Sequence, residues 1–204
     1  MGILSEVDRY YSDKIITHGP VPGGVDWNSQ ESQMLRFDQL LKLLPIPAKK
    51  FSILDFGCGY GSLFNYMKPR YQEFQYAGFD ISRAMIDEAR RLLNGEPIKL
   101  STELSILDAP EYTIASGIFN VKQKANVENW MTYVEETLTQ INKLSSKGFS
   151  FNMLTSYSDE DHKKDYLYYA DPCQVFDFCK RQFSKEVALL HDYNLYEFTV
   201  LVRK

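Results

Sequence analysis

The stretch Ile53-Leu-Asp-Phe-Gly-Cys-Gly-Tyr-Gly-Ser62 constrains this 204-residue chain most. An apolar run, Phe51–Phe56, is stopped by three alternating glycines, Gly57, Gly59 and Gly61, and a helical pattern over Gly61–Met67 follows. Glycines in this number carry an entropic cost. They fit a place where the chain turns sharply and a ligand lies on bare backbone. The helix behind them offers free N–H groups at its start. A strand, a glycine turn and a helix in this order open an α/β fold.

The rest of the chain continues the alternation. Buried strands are expected at Gln75–Phe79, Ile98–Leu104, Tyr112–Ser116, Gly148–Leu154, Glu186–His191 and Tyr196–Val202. Before the first strand, Met34, Phe37, Leu41 and Leu44 form a helical face stopped by Pro45 and Pro47. Ser82 caps a helix carrying Met85, Ile86, Ala89, Leu92 and Leu93. Val127, Trp130, Met131, Val134, Leu138 and Ile141 step by three and four. Asp171-Pro172 reads as an N-cap and first-turn proline ahead of Val175, Phe176, Cys179 and Phe183. Alternation of this kind implies an α/β fold with a Rossmann-like, seven-stranded, mostly parallel sheet and helices on both faces. The turn at 192–195 is too short for a crossover helix, so the last two strands make a C-terminal antiparallel β-hairpin. Residues 1–204 are expected to form a single domain. Two segments fit no regular element: an N-terminal cap over 1–30 and a probable lid loop over 155–170.

Charge and composition narrow the partners. A net charge of −4 leaves no global basic field, so no nucleic-acid partner is expected. Cys58, Cys173 and Cys179 are too few and too scattered for a disulfide framework or a zinc cage. No apolar run reaches the ~18–20 residues of a membrane span, and charges at Glu6 and Asp8 break a signal peptide. A cytoplasmic protein is expected, monomeric or homodimeric, with no membrane partner.

The glycine loop separates ligand classes. A dinucleotide loop places its third glycine at position 62, where this chain has Ser62, and a Walker loop needs a Gly-Lys-Ser/Thr that is absent. Asp55 lies two residues ahead of Gly57. Asp80 ends the second strand about 20 residues past the loop, where an acid accepts hydrogen bonds from ribose hydroxyls.

Asp55-x-Gly57-x-Gly59-x-Gly61, an acid after the second strand and a closing hairpin resemble the class I S-adenosylmethionine-dependent methyltransferases. The resemblance covers residues ~34–204, nearly the whole chain. It implies S-adenosyl-L-methionine as cofactor. It places Asp55 and the turn at Gly57, Cys58, Gly59 and Gly61 at the methionine part, Asp80 at the ribose, and Ile81 and Met85 on the adenine. Thr102, Glu103 or Leu104 would meet the adenine amine. Ser116 and Gly117 would run beside the methyl group. Read on its own, Asn120 could position a polar group of the acceptor or cap the helix that begins near Asn126. Two departures stand out: the third strand lacks the family's Gly-Asp ending, and no proline pair follows Ser116 as in the amino-methyltransferases of DNA.

The remaining candidates concern the acceptor. Tyr11, Trp27, Tyr157, Tyr166, Tyr168 and Tyr169 fall in the two irregular segments and are candidates for lining its pocket. Arg36 could reach the cofactor carboxylate. His162 and His18 are possible bases, whereas His191 lies inside a strand. Asp159-Glu-Asp-His162 reads as a solvated charge run, and no metal is expected. The function that follows is methyl transfer to nitrogen or oxygen of a small-molecule acceptor. The alternatives are a cofactor sensor on the same scaffold and a nucleotide-dependent oxidoreductase.

Overall fold

The computed structural model describes residues 2–21, 29–46 and 50–204. Seven strands form one sheet: β1 (Phe51–Phe56), β2 (Phe74–Phe79), β3 (Lys99–Ser101), β4 (Tyr112–Ala115), β5 (Gly148–Leu154), β6 (Glu186–Leu190) and β7 (Glu197–Arg203). Their order across the sheet is β3-β2-β1-β4-β5-β7-β6, and β7 alone runs antiparallel to its neighbours. The expected Rossmann-like architecture and closing hairpin are what the chain forms. The third strand is shorter than the seven residues expected, ending at Ser101.

Among the described residues six α-helices flank the sheet: α1 (Ile3–His18), α2 (Gln30–Leu41), α3 (Ser62–Met67), α4 (Arg83–Leu92), α5 (Val127–Leu144) and α6 (Pro172–Gln182). Alternation along the strands sorts two apolar layers. Leu54 and Phe56 of β1, Phe149, Phe151 and Met153 of β5, and Phe198, Val200 and Val202 of β7 pack with Trp130, Val134 and Leu138 of α5 and with Val175 and Cys179 of α6. On the other face Phe51, Ile53 and Ile114 pack with Phe37, Leu40 and Leu41 of α2 and with Leu63, Phe64 and Met67 of α3. The expected caps form: Ser82 Oγ accepts from Met85 N at 3.2 Å, and Asp171 Oδ1 accepts from Cys173 N at 2.8 Å. Met34 and Leu92 are instead exposed, because each apolar stripe is narrower than its sequence face.

The N-terminal segment corrects the sequence reading. Residues 3–18 are helical, not irregular, and Gly19 closes the helix at φ 73° with its N–H on Ile15 O. Val7, Tyr11 and Ile15 recur every four residues, which gives one thin stripe among polar neighbours. Val7 joins the main core, and Ile15 packs on Tyr60 and Met85. Helix α1 therefore lies across the glycine loop and α4. Ser12 Oγ bonds Ser82 Oγ at 2.8 Å and donates to Asp8 Oδ1 at 3.0 Å.

The 155–170 segment is tied down at several points. Thr155 bridges Ala170, and Val121 bridges Leu167. Gln123 N donates to Tyr166 O at 3.0 Å, and Tyr168 N donates to Asn120 O at 2.8 Å. Between these ties one 3-10 turn spans Glu160–His162.

Candidate active site

The chain crosses from one half of the sheet to the other between β1 and β4, its neighbours in the middle. At such a switch point the loops after the two strands diverge and leave a crevice at their carboxyl ends. A cavity fills it. Its walls include Asp55, Gly57, Cys58 and Gly59 from the glycine loop, Asp80, Ile81 and Met85 from the β2–α4 turn, and Ser116, Gly117 and Ile118 from the loop after β4. Counting its open mouth, the empty volume is about 830 Å³, within the range of small-molecule and cofactor sites.

Positive φ angles at Gly57 (82°) and Gly61 (84°) shape the turn. A Cβ on Gly57 would lie 2.2 Å from Ile118 Cγ2, so the close approach of the two loops needs glycine there. Gly57 N and Cys58 N both donate to Phe79 O, at 2.7 and 2.9 Å. The loop is thus bolted to the end of β2. Asp80 completes the joint, its two oxygens accepting from Gly59 N at 2.8 Å and Ser82 N at 2.9 Å.

Two carboxyl groups in this cavity are held unusually. Asp55 is 2% exposed, and burial lifts its pKa to about 7, opposed in part by the Tyr76 hydroxyl that donates to it at 2.5 Å. Burial lifts Asp80 to about 6, against the pull of its two N–H donors. Both gain from a cationic or donor-rich ligand. The same burial, with Asp55 and Asp80 near, pushes the Cys58 thiol well up, so it stays a protonated wall residue.

A second, more polar cavity adjoins the first. Its walls include Arg36, Asn120, His162, Tyr166, Tyr169 and Tyr196, and it shares Tyr11 and Gly117 with the first. Arg36 is buried here in a two-pronged ion pair with Glu197, at 2.8 and 2.7 Å. Glu197 also accepts from Asn152 Nδ2 at 2.5 Å, and Asn152 Oδ1 accepts from Gly117 N at 2.8 Å. This buried chain fixes Gly117, one of the two residues where the cavities meet.

The sequence candidates therefore divide. Asp55, Gly57, Cys58, Gly59, Asp80, Ile81, Met85, Ser116 and Gly117 line the first cavity. Gly61 lies just behind it as the left-handed N-cap of α3. Thr102 and Leu104 stand beyond the end of β3 and are not among the residues lining either cavity; Leu104 packs against the main core instead. Tyr11 lines both cavities, and Asn120 lines the second. Tyr168 departs from expectation because its ring is buried in the main core. Tyr157 is 69% exposed beside His191 and reaches neither cavity. Trp27 lies outside the described residues. Arg36 turns to Glu197 in the second cavity. Asp159, Asp161 and His162 bring ligand-type atoms within 4.8 Å of one another, all in solvent, with Tyr196 donating to Asp159.

Sequence reasoning missed Val7, Gln33, Phe37, Tyr60, Ile118 and Tyr133 in the first cavity. Tyr133 sits on α5 next to core residue Val134 and Gln33 on α2, where Nε2 donates to Ser62 Oγ at 3.2 Å. Neither belongs to a local motif. The one signal available was the four-residue spacing of Val7 and Tyr11.

A family model described as a methyltransferase domain matches residues 28–197. The chain belongs to this methyltransferase family. A provisionally named methyltransferase of Mycobacterium tuberculosis, Rv1506c, is 49% identical over 158 residues, covering 77% of this chain and 95% of that protein. Among solved structures, magnesium protoporphyrin IX methyltransferase from Synechocystis PCC 6803 with bound SAM aligns over 100% of this chain and 98% of its own, with TM-score 0.66 and 14% identity. The [4+2]-cyclase SpnF aligns over 93% and 75%, with TM-score 0.66 and 12% identity. At such identities the two structures speak for the fold alone.

S-adenosylmethionine is the cofactor that goes with the family, and the first cavity suits it. Ser116 Oγ is buried there without a hydrogen-bond partner among the described residues. Each Asp80 oxygen accepts one N–H, and a carboxylate offers about four acceptor positions, so room remains for two hydroxyl donors.

Proposed function

We propose that the chain is an S-adenosylmethionine-dependent methyltransferase that carries the methyl group to nitrogen or oxygen of a small-molecule acceptor in the cytoplasm. The observation that carries this reading is the meeting of the two cavities at Tyr11 and Gly117. A donor in one and an acceptor in the other would face each other across that junction, and alignment is the main thing a protein contributes to such a transfer.

The cofactor, when bound, supplies a methyl group already activated on a sulfonium. The chain's own residues do the rest. Asp80 takes the ribose hydroxyls, and Ser116 Oγ gains the partner it lacks. Ile81 and Met85 give the adenine an apolar wall. Asp55 and the backbone of Gly57–Gly59 receive the methionine part, whose ammonium favours the ionised form of Asp55. Helix α1 sets Val7 and Tyr11 over the mouth and keeps water out. Among the residues lining the second cavity His162 is the imidazole, with Nδ1 3.0 Å from Asp161 Oδ1. An oxygen acceptor that must lose a proton would use it, whereas an amine arriving unprotonated needs no base. No helix among the described residues is long and apolar enough to cross a membrane.

The test is S-adenosylhomocysteine formation from methyl-labelled cofactor against a panel of amines, alcohols, phenols and carboxylates. Acceptor-dependent product is expected. Tight cofactor binding with no turnover across the panel would favour the sensor reading instead.

A further inference from the structure

Resting on that reading, we propose that Asn120 selects the acceptor: the second cavity takes a molecule that presents a carbonyl-type oxygen, of an amide or a carboxylate, to the Asn120 side-chain amide. The way this amide is held is the first argument. Asn120 is 6% exposed and lines the second cavity but not the first. Its Oδ1 accepts from Leu154 N at 3.1 Å. A backbone N–H can only donate, so this contact decides which way the amide faces. Turning the group over would set N–H against N–H. The backbone is pinned as well, because Tyr168 N donates to Asn120 O at 2.8 Å and the next residue, Val121, bridges Leu167.

The second argument is what this arrangement leaves open. Nδ2 makes no hydrogen bond among the described residues, yet it is not sealed as the Ser116 hydroxyl is. The access that so buried a residue keeps is to the cavity it lines. An amide with two unused protons gains from a partner that accepts and loses from one that donates. Three hydroxyls on the same wall spend their protons elsewhere. Ser158 Oγ donates to Thr155 O at 2.7 Å, Tyr169 Oη to His162 O at 3.4 Å, and Tyr196 Oη to Asp159. A hydroxyl such as that of Tyr166 can donate or accept, so it discriminates little. Asn120 Nδ2 can only donate, and therefore discriminates.

The third is its place. Asn120 lies three residues past Gly117, in the loop that carries Ser116 and Gly117 along the cofactor cavity. Three residues span at most about 11 Å. The oxygen held at Asn120 thus belongs to the reacting end of the acceptor, near the junction of the cavities, and not to a remote tail. Val121, Leu154 and Leu167 give the rest of the molecule an apolar wall. An acceptor with an ammonium or N–H at that place would oppose donor to donor.

The experiment titrates benzamide, benzoate and benzylamine into isotope-labelled protein loaded with S-adenosylhomocysteine, followed by NMR. The Asn120 side-chain amide signals are those that vanish in Asn120→Asp, which keeps an oxygen for Leu154 N but has no amide protons. Both carbonyl probes are expected to move these signals and to bind about tenfold tighter than benzylamine. In Asn120→Asp and in Asn120→Ala benzamide weakens about tenfold, whereas benzylamine does not weaken. Benzamide carries no charge, so its loss reads the missing donor and not the new carboxylate. The tighter of benzamide and benzoate tells whether the oxygen recognised is neutral or ionised. Affinity for S-adenosylhomocysteine stays within about twofold, because Asn120 does not line the first cavity, and a thermal melt confirms that both variants are folded. Saturable binding of neither carbonyl probe, amide signals that stay in place, or a preference over benzylamine that survives both variants would overturn the contact while leaving the methyltransferase reading intact. Failure of the parent protein to bind S-adenosylhomocysteine would overturn both.

Discussion

The Tyr76 hydroxyl donates to the Asp55 carboxylate at 2.5 Å, and both side chains are sealed from solvent on adjacent strands β1 and β2. One hydrogen bond does not offset the burial of a charge, so the pKa of Asp55 rises from 3.8 to about 7. The folded state then binds this proton more tightly than the unfolded chain. The stability it contributes is complete below pH ~4 and is lost as pH rises through ~7, on the order of 4 kcal/mol. Asp80, raised to about 6, works in the same direction over a lower window.

Replacing Asp55 with Asn removes the charge and keeps an oxygen for Tyr76. The cofactor-free Asp55→Asn protein is expected to be more stable than the parent at pH 8, by about 1–3 kcal/mol, with a flatter stability profile between pH 5 and 8. Urea unfolding at several pH values measures this. A variant less stable than the parent at pH 8 would mean that the buried charge is compensated. On the proposed function the same substitution is expected to weaken cofactor binding, which would make Asp55 a residue kept for function at the expense of stability.

Gly57→Ala meets two obstacles. The residue sits at φ 82°, and its new Cβ would lie 2.2 Å from Ile118 Cγ2. Destabilisation of about 1–3 kcal/mol is expected, with weaker cofactor binding because displaced Ile118 lines the cavity. Adding Ile118→Ala relieves the clash but not the backbone strain, so recovery in thermal melts is only partial. Full recovery would show that φ at residue 57 costs nothing.

Arg36 and Glu197 form a pair with side chains only 7% and 2% exposed. Removing one partner leaves the other charge buried, and Arg36→Met is expected to cost about 3–5 kcal/mol. The double variant Arg36→Met with Glu197→Gln loses less than the sum of the single changes, because no uncompensated charge remains. Additive losses in a double-mutant cycle measured by urea unfolding would contradict direct coupling. Because Glu197 also holds Asn152, and Asn152 holds Gly117, turnover falls in either single variant more than cofactor affinity does.

The fold and first cavity were legible because their signals are local. Gly57, Gly59, Gly61 and Asp80 mark strand ends, and the 2-to-3.6 switch in apolar spacing marks the elements. The second cavity was legible only in part: Tyr11, Asn120, His162, Tyr166 and Tyr169 were candidates and line it, but the rest of its walls meet only in three dimensions. Arg36 and Glu197 are 161 positions apart. Tyr166 and Tyr169 line it, yet Tyr168 between them is buried in the core and Tyr157 is in solvent. Alternation along an irregular segment carries no period that sorts them. Helix α1 escaped notice because its core-facing stripe, Ile3, Val7, Tyr11 and Ile15, is a single row of residues four apart.

The most direct measurement is calorimetric titration of S-adenosylhomocysteine into the parent protein and into Asp80→Ala, with NADH as the comparison ligand. One-to-one binding to the parent is expected, roughly 100-fold weaker in Asp80→Ala as two charge-assisted hydrogen bonds are lost, with a thermal melt confirming that the variant is folded. Saturable binding of NADH without binding of S-adenosylhomocysteine, or S-adenosylhomocysteine affinity untouched by Asp80→Ala, would contradict the assignment of the first cavity to the methyl donor.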